Sequence, residues 1–496
     1  MEVVLSLIPI VSILFLIFVL KKSAVFTGLI TCFLTLGVAL LPVFGVSVGH
    51  LLEPFFKSIL TTSTIAYILF FGILLFQLLD KAGAVEGIAS TISSATNDKV
   101  YQALLLALGL SPLVESVSGF GLAVIVIAPI LLALGFNGVQ STLIALVSLC
   151  IIPWGTLSMG TIIGATLGNV PLEKLGSGSA LLCIPIYIYF AILVGFIAVG
   201  KKETLKRLHE IVVIGAVLGV SVWLCNEYLS VELAGLFGSF TVMFVIFAMI
   251  KIKSVRNHGD IPSEKMTRKS LFLKFIAPYL FLIVTLFISR TVVHVKDVLS
   301  NNLYIDLPEY NFQLPLLYSP GFFLILSCLF AIALFRLNRP KTMESVDVTI
   351  KKCAPVIVTT LLFVAVSEMM MEAGMIAILS SVAANAFGSF FLYLSPFIGA
   401  IGGFLTGSNT ASNTMFIRLQ TETALQIGLS PVLLACAQNV SSSLMTMLNP
   451  SRVVLAISVC KIGDKENEIL KKMMLVGSGT LTLIILQLLA VSWFVS

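Results

Sequence analysis

A single glutamate in an apolar stretch is the first residue whose chemistry needs explaining. Glu115 heads the segment Glu115-Ser-Val-Ser-Gly-Phe-Gly121 and is the one charged residue between positions 100 and 135. An ionised carboxylate is costly to bury there, so it must be protonated, paired or wet, and each state suits a group that loads and unloads a proton. A second polar interruption, Thr406-Gly-Ser-Asn-Thr-Ala-Ser-Asn-Thr414, lies in the long stretch 390–425. Small polar residues let membrane helices pack closely, but a run in which only Ala411 is not Ser, Thr, Asn or Gly exceeds that need. Its hydroxyls and amides (Ser408, Asn409, Thr410, Ser412, Asn413, Thr414), with Ser118 at the first interruption, offer neutral hydrogen bonds to an oxygen-bearing solute. Arg452 follows Asn449-Pro450-Ser451 and is the cation best placed to offset an anionic solute or Glu115, a structural Glu115–Arg452 pair being the competing expectation. Glu368, Glu372, Arg418 and Glu422 are expected at solvated outer ends rather than as ligands.

Other chemistries lack their residues. The eight cysteines show no Cys-x-x-Cys spacing, which predicts packing roles rather than disulfides or zinc. His50, His209, His258 and His294 fall in predicted loops or at span ends, so neither a metal site nor a histidine relay is expected. No cofactor is implied. No intramembrane His-Glu, Asp-Asp or Ser-His arrangement is present to run hydrolysis, so the chain is not expected to be an enzyme.

The elements that position these residues follow from composition. Of 496 residues, 58% are hydrophobic and 11% charged, with a mean hydropathy of +1.08. A soluble globular enzyme carries about 25% charged residues and is excluded. At about 20 residues per span the chain has room for about twelve to fourteen helical crossings, and its long unbroken apolar runs exclude a β-barrel. The expected fold is an all-α polytopic membrane protein. Full spans are predicted near 3–20, 25–45, 62–79, 141–168, 179–200, 211–227, 232–250, 275–289, 319–336, 353–371, 431–460 and 473–494. The run 3–20 has Glu2 before it and Lys21-Lys22 after it, the reverse of a signal peptide, and is read as the first span.

Stretches 100–135 and 390–425 would each reach about 50 Å as one helix, against a hydrocarbon core of about 30 Å. Both are therefore expected to be re-entrant hairpins, broken at 116–121 and 406–414. With both termini outside, 24 of the 30 lysines and arginines fall in cytoplasmic loops, so the net charge of +6 reports topology rather than nucleic-acid affinity.

A weak internal repeat supports the same layout. Leu78-Leu-Asp-Lys-Ala-Gly-Ala-Val-Glu-Gly-Ile88 is echoed by Met369-Met-Met-Glu-Ala-Gly-Met-Ile-Ala-Ile-Leu379 at an offset of 291 residues, and Ser111-Pro112 by Ser395-Pro396. The predicted organisation is a first repeat over 1–205 (hairpin 100–135, broken span 141–168), an inserted helix pair and cytoplasmic loop over 206–270, and an inverted second repeat over 271–496 (hairpin 390–425, broken span 431–460). Inverted repeats with interrupted helices are the construction of secondary transporters. The interruptions at 116–121, 153–160, 406–414 and 439–450 are expected to converge. Each starts a half-helix whose N-terminus offers free N–H groups and partial positive charge, which together make an anion site.

With Glu115-Ser-Val-Ser-Gly-Phe-Gly121, Leu134-Gly-Phe136, Phe404-Leu-Thr-Gly-Ser-Asn-Thr-Ala-Ser-Asn413 and Leu419-Gln-Thr-Glu-Thr-Ala-Leu-Gln-Ile-Gly428 in view, the chain resembles the bacterial L-lactate permease family over most of its length. The resemblance implies import of lactate or glycolate with protons across the plasma membrane. It carries over Glu115, Gly119, Phe120 and Gly121 at the first tip and Gly407, Ser408, Thr410, Ser412 and Asn413 at the second. Two positions depart from the family pattern: Asn409 replaces an aspartate, and Thr446 replaces a lysine before the last Pro break, with Arg452 following it. An acid and a base are thus lost together, which keeps the charge balance and alters the ligand contacts.

The expectation is a secondary transporter in the bacterial cell membrane that imports a small monocarboxylate, lactate or a related 2-hydroxy acid, by proton symport through Glu115. The ligand set is Ser118, Gly119, Phe120, Gly121, Ser408, Asn409, Thr410, Ser412, Asn413, Thr446 and Arg452. Sodium-coupled uptake of a carboxylate or other organic anion, and an anion channel, are the alternatives.

Overall fold

Apolar runs with Ser, Asn or Pro at their first turns fold as long helices, and polar or glycine interruptions decide where they break. The structure, a computed structural model, describes residues 1–119, 121–256, 265–310 and 312–495. Phe120 and His258 lie outside the described residues, as does part of the basic cluster Lys251 to Lys274.

Helices α1 (Glu2–Phe18) and α2 (Ala24–Ala39) lead into the long α3 (Val48–Lys81) and the short α4 (Ala84–Ser94). A first hairpin follows. Its inward leg is α5 (Lys99–Leu104), a π-helical stretch (Leu105–Leu110) and α6 (Ser111–Ser118), and its return leg is α7 (Ala123–Ala133). A broken span comprises α8 (Gly138–Val147), a 3₁₀ stretch (Leu149–Trp154) and α9 (Gly155–Leu167). Then come α10 (Leu172–Lys206), α11 (Leu208–Tyr228), α12 (Ala234–Arg256), α13 (Lys265–Thr291), α14 (Val293–Asn301), the antiparallel strands β1 (Tyr304–Leu307) and β2 (Phe312–Pro315), and α15 (Pro320–Phe335).

From α16 (Arg339–Glu372) the earlier order recurs. A short α17 (Met375–Phe387) precedes a second hairpin, α18 (Phe391–Thr406) and α19 (Asn409–Gln426). A second broken span follows, α20 (Pro431–Met445), a 3₁₀ turn (Thr446–Leu448) and α21 (Pro450–Cys460), and then α22 (Glu466–Val495). Helices α3 and α16 pack side by side, α2 lies on α16 as α15 lies on α3, and α1 meets α17 as α13 meets α4.

Eleven helices among the described residues are long and apolar enough to cross a membrane. The twelve expected spans map differently. Helices α1, α2 and α15 have only 17, 16 and 16 residues, whereas Lys99–Ser118 in the first hairpin reaches 20. The first hairpin is therefore lopsided rather than built from two equal legs. It still closes on one face, because the Lys99 ammonium donates to the Leu134 carbonyl and lies 4.5 Å from the Phe136 ring centre.

Most basic clusters meet on that same face. Arg207 and Lys253 both pair with Asp98, Lys81 pairs with Glu344, and Lys465 and Lys472 share a surface hollow with Asn137 and Ile197. The second hairpin closes on the opposite face, where Gln426 donates to Ser380 of α17.

Candidate functional site

The four interruptions touch one another. A Cβ on Gly119, at the first tip, would stand 2.0 Å from the Thr156 Oγ1 of the first broken span. One on Gly407, at the second tip, would stand 2.9 Å from the Asn449 side chain of the second broken span. Gly119 has φ 63° and ψ −168°, a region open essentially to glycine alone. These two glycines are the close approaches that join each hairpin to its neighbouring break.

The breaks are narrower than the polar runs. In the second hairpin only Gly407 and Ser408 leave the helix, and Asn409 to Thr414 form the first turns of α19. In the second broken span helix continues to Met445, so Asn439 to Ser443 are helical. The first broken span turns at Thr156, Leu157 and Ser158, which hold φ of 40°, 49° and 70° in succession. Three left-handed non-glycine residues cost about 1–2 kcal/mol each. They are braced by Ser158 donating to the Val231 carbonyl at 2.8 Å and Thr161 donating to the Pro153 carbonyl at 2.6 Å. Helix α11 adds a third brace, since Trp154 Nε1 donates to its Asn226 at 3.0 Å.

Three of the half-helix N-termini expected to present free donors are capped by their own segments. Ser408 Oγ accepts from Ala411 N, Asn449 Oδ1 accepts from Ser451 N, and Glu115 accepts from Gly121 N at 2.9 Å and Ala123 N at 3.5 Å. A buried N–H cannot stay unpaired, so the chain satisfies these groups itself.

Arg452 is the residue that joins the two tips. Its Nη2 donates to the Gly407 carbonyl at 2.7 Å, its Nη1 donates to Thr446 Oγ1 at 3.1 Å, and Gly121 lies so close that a Cβ there would be 3.2 Å from Nε. These two bonds use two of five guanidinium N–H groups. The Glu115 and Arg452 carboxylate and guanidinium are both buried and feel each other's charge, yet they form no direct ion pair among the described residues. Thr446 is thus placed against Arg452, and Ser118 is turned away, its hydroxyl donating to the Val114 carbonyl of its own helix.

Beside this cluster runs a buried amide chain. Asn439 Oδ1 accepts from Asn409 and Asn413, each at 2.9 Å, while its Nδ2 donates to Thr161 and Ser179. Ser442 donates to Asn409, and Asn413 also reaches the Gly160 carbonyl at 2.9 Å. Gln438 donates to Ser412 at 3.2 Å and accepts from Gln420, which itself accepts from Ser395. Asn409, Ser412 and Asn413 therefore tie hairpin two to both broken spans. Thr410 and Thr414 are buried on the same helix, Thr414 donating to the Thr410 carbonyl. Asn439 is the first residue of the expected interruption at 439–450, whereas Gln420, Gln438, Thr161 and Ser179 are not singled out by spacing. The adjacent amides Gln438-Asn439, followed by Ser441, Ser442 and Ser443 in the same helix, are the available signal.

Two crevices flank the tips. On the basic face a cavity of ≈ 460 Å³ runs along α7 from Leu122 to Ala133, walled by Gln77 and Asp80 of α3, Glu86 of α4 and Lys352 of α16. On the opposite face the corresponding space between α16, α17 and α19 shrinks to ≈ 20 Å³. Arg418 closes that side, pairing with Glu368 at 2.5 Å and donating to the carbonyls of Leu167 and Ser367. Their side chains are 14% and 12% exposed, so this pair is largely buried rather than wet as expected, and only Glu372 is freely exposed.

Comparison with known proteins bears on the family and the overall fold. The chain is 24% identical to an L-lactate permease of Halalkalibacterium halodurans over 493 residues, covering 93% of this chain and 91% of the relative. It is 24% identical to one of Streptococcus iniae (75% and 80% covered) and 22% identical to the glycolate permease GlcA of Escherichia coli (82% and 80% covered). The fold is similar to that of the Alcanivorax borkumensis YdaH transporter, described as having an unusual topology, with TM-score 0.54, 13% identity, and 94% and 98% of the two chains covered. Since the family profile for L-lactate permease matches residues 2–493, nearly end to end, this chain belongs to the L-lactate permease family, as a divergent member.

Proposed function

We propose that the chain is a secondary active transporter that imports a small monocarboxylate, lactate or a related 2-hydroxy acid, by proton symport. The observation that carries this reading is Arg452, a buried guanidinium held between two hairpin tips with N–H groups to spare beside a buried carboxylate. A substrate carboxylate accepting from Arg452 neutralises it without a formal ligand charge elsewhere, and the hydroxyl of a 2-hydroxy acid suits Thr446 and the hydroxyl and amide groups at the start of α19. The relatives named as lactate and glycolate permeases support the same substrate class.

In this reading Glu115 is the proton carrier. Its carboxylate is already bound by two backbone N–H groups, so protonation weakens those contacts and loosens the tip that touches Arg452. The two halves act as inverted repeats, 1–205 and 271–496, and alternating access exchanges the open crevice on the basic, cytoplasmic face for the closed one opposite. The hairpins and broken spans move against α3 and α16.

Uptake of labelled lactate and glycolate into proteoliposomes under an imposed pH gradient, with sodium replaced by choline, tests the reading. Accumulation that follows the pH gradient and ignores sodium is expected. Failure to take up any 2-hydroxy acid overturns the substrate, and a sodium requirement overturns the coupling ion.

A further inference from the structure

The crevice on the basic face carries polar groups that the central cluster does not use. Gln77 is only 5% exposed, on the wall of the cavity, and its amide nitrogen has no hydrogen-bond partner. A buried amide N–H left unpaired is unfavourable, so the group is held ready for an acceptor. A half-turn about its terminal torsion, which is soft and nearly two-fold, presents that NH₂ to the cavity. Lys352 stands on the exposed rim of the same cavity, with no carboxylate in ion-pair contact among the described residues. Leu122, the last residue of the first hairpin's tip, forms the inner end.

The cavity therefore brings together a cation, a buried amide and a residue of the tip that adjoins Arg452. On α3 the separation from Gly72, which touches the tip at the Val117 carbonyl, to Gln77 is five residues, about 7.5 Å of helix rise. Resting on the transport reading above, we propose that Gln77 and Lys352 form a second carboxylate site, a waiting position between the basic face and Arg452. A carboxylate there accepts from the Gln77 amide with one oxygen and faces the Lys352 ammonium with the other. Asp80 and Glu86 on the same rim repel the anion and keep the site weak, as a station on a path must be if its occupant is to leave.

The test is site-specific thiol labelling. Ala133→Cys, on the exposed end of the cavity wall, reports access by an impermeant anionic methanethiosulfonate applied from the basic face, with labelling at that position read by mass spectrometry. Lactate is expected to slow the labelling, and lactamide, its neutral amide, is not. Gln77→Leu and Lys352→Met are each expected to raise the protecting lactate concentration by roughly 3- to 10-fold. The same protection is expected to persist in an Arg452→Ala background, where the central site is disabled.

Protection that vanishes with Arg452→Ala, or that neither wall variant alters, overturns the second site, as does a reporter that never labels from the basic face. Variants are compared only where detergent-solubilised protein elutes as wild type, and Gln77→Glu serves as an isosteric control expected to abolish protection by charge repulsion. If wild-type protein takes up no 2-hydroxy acid, the transport reading fails, while the labelling still decides whether the cavity binds carboxylate.

Discussion

Glu115 and Arg452 face each other across the backbone of Gly121, whose N–H donates to the Glu115 carboxylate at 2.9 Å and whose α-carbon lies against the Arg452 guanidinium. The charge pair is thus separated by one peptide unit of a hairpin tip, and neither group is locked to the other. A direct ion pair would fix both charges. In the transport reading proposed above, the carboxylate exchanges a proton while the guanidinium exchanges a substrate, with the tip as the mechanical link.

Glu115→Gln keeps the shape and an acceptor oxygen for Gly121 but removes the titrating group. Proton-driven accumulation of lactate is expected to be lost, with lactate–lactate exchange across proteoliposomes retained within a few-fold. Equal loss of both activities would mean that Glu115 is structural.

Arg452→Lys retains the charge and loses the fork that reaches Gly407 and Thr446 together. Charge-assisted hydrogen bonds contribute about 1.5–3 kcal/mol each, so the half-saturating substrate concentration is expected to rise roughly 10- to 100-fold. Thr446→Val, removing one of those partners, is expected to give a smaller rise. An unchanged half-saturation in Arg452→Lys would place the substrate elsewhere.

Asn439 joins four side chains drawn from α19, α9 and α10. Asn439→Leu leaves the buried Asn409 amide without its acceptor and takes one of two from Asn413, which keeps the Gly160 carbonyl, at a cost of about 1–3 kcal/mol for each N–H left unpaired. A clear fall in the melting temperature of the purified protein is expected, together with loss of transport. A melting temperature equal to wild type would show that water repairs the network.

How far the chain could be read in advance depended on how local each signal was. Most apolar helices are legible from length and apolarity, although those expected to span at 3–20, 25–45 and 319–336 have only 17, 16 and 16 residues, and Gly119, Gly121 and Gly407 mark the tips because left-handed backbone favours glycine. Polar residues in sequence look like loop, so a break is expected over all of 406–414, whereas the structure confines it to Gly407 and Ser408. In the fold Asn409 and Asn413 stay helical by pairing with Asn439, 30 and 26 positions away. The same distance hid the Glu368–Arg418 pair, 50 residues apart, whose ends looked solvated. Helices α4 and α17 and the β1–β2 hairpin escaped because each is shorter than a membrane span.

Asp98 gives a pH-dependent prediction away from the membrane segments. Burial raises its carboxyl pKa, but hydrogen bonds and charge from Arg207 and Lys253 outweigh that and hold it below the usual range. A depressed folded-state pKa contributes stability that is full above the unfolded value and disappears as pH falls through the folded one. Asp98→Asn is expected to lower thermal stability at pH 7 by an amount on the order of 1 kcal/mol, with the gap to wild type closing as the medium is acidified below the normal aspartate range. A gap that is constant with pH would trace the effect to altered packing instead of charge, since the asparagine oxygen can still accept from Val100 N as Asp98 does.

The Arg418–Glu368 pair is expected to latch the closed face. Arg418 on hairpin two holds α16 through Glu368 and Ser367 and the end of the first broken span through Leu167, so opening that crevice must break all three contacts. Removing one partner of a buried pair leaves the other charge stranded and costs about 3–5 kcal/mol in the closed arrangement, whereas the open arrangement hydrates both. Arg418→Gln should therefore shift the population toward opening on that face. An impermeant thiol reagent applied there to Met415→Cys, on the wall of the ≈ 20 Å³ space, is expected to react at least ten-fold faster in the Arg418→Gln background. Restoring slow labelling with a charge-swapped pair, Arg418→Glu with Glu368→Arg, would separate a latch from general loosening, and equal labelling rates with and without Arg418 would show that the face is held shut by apolar packing alone.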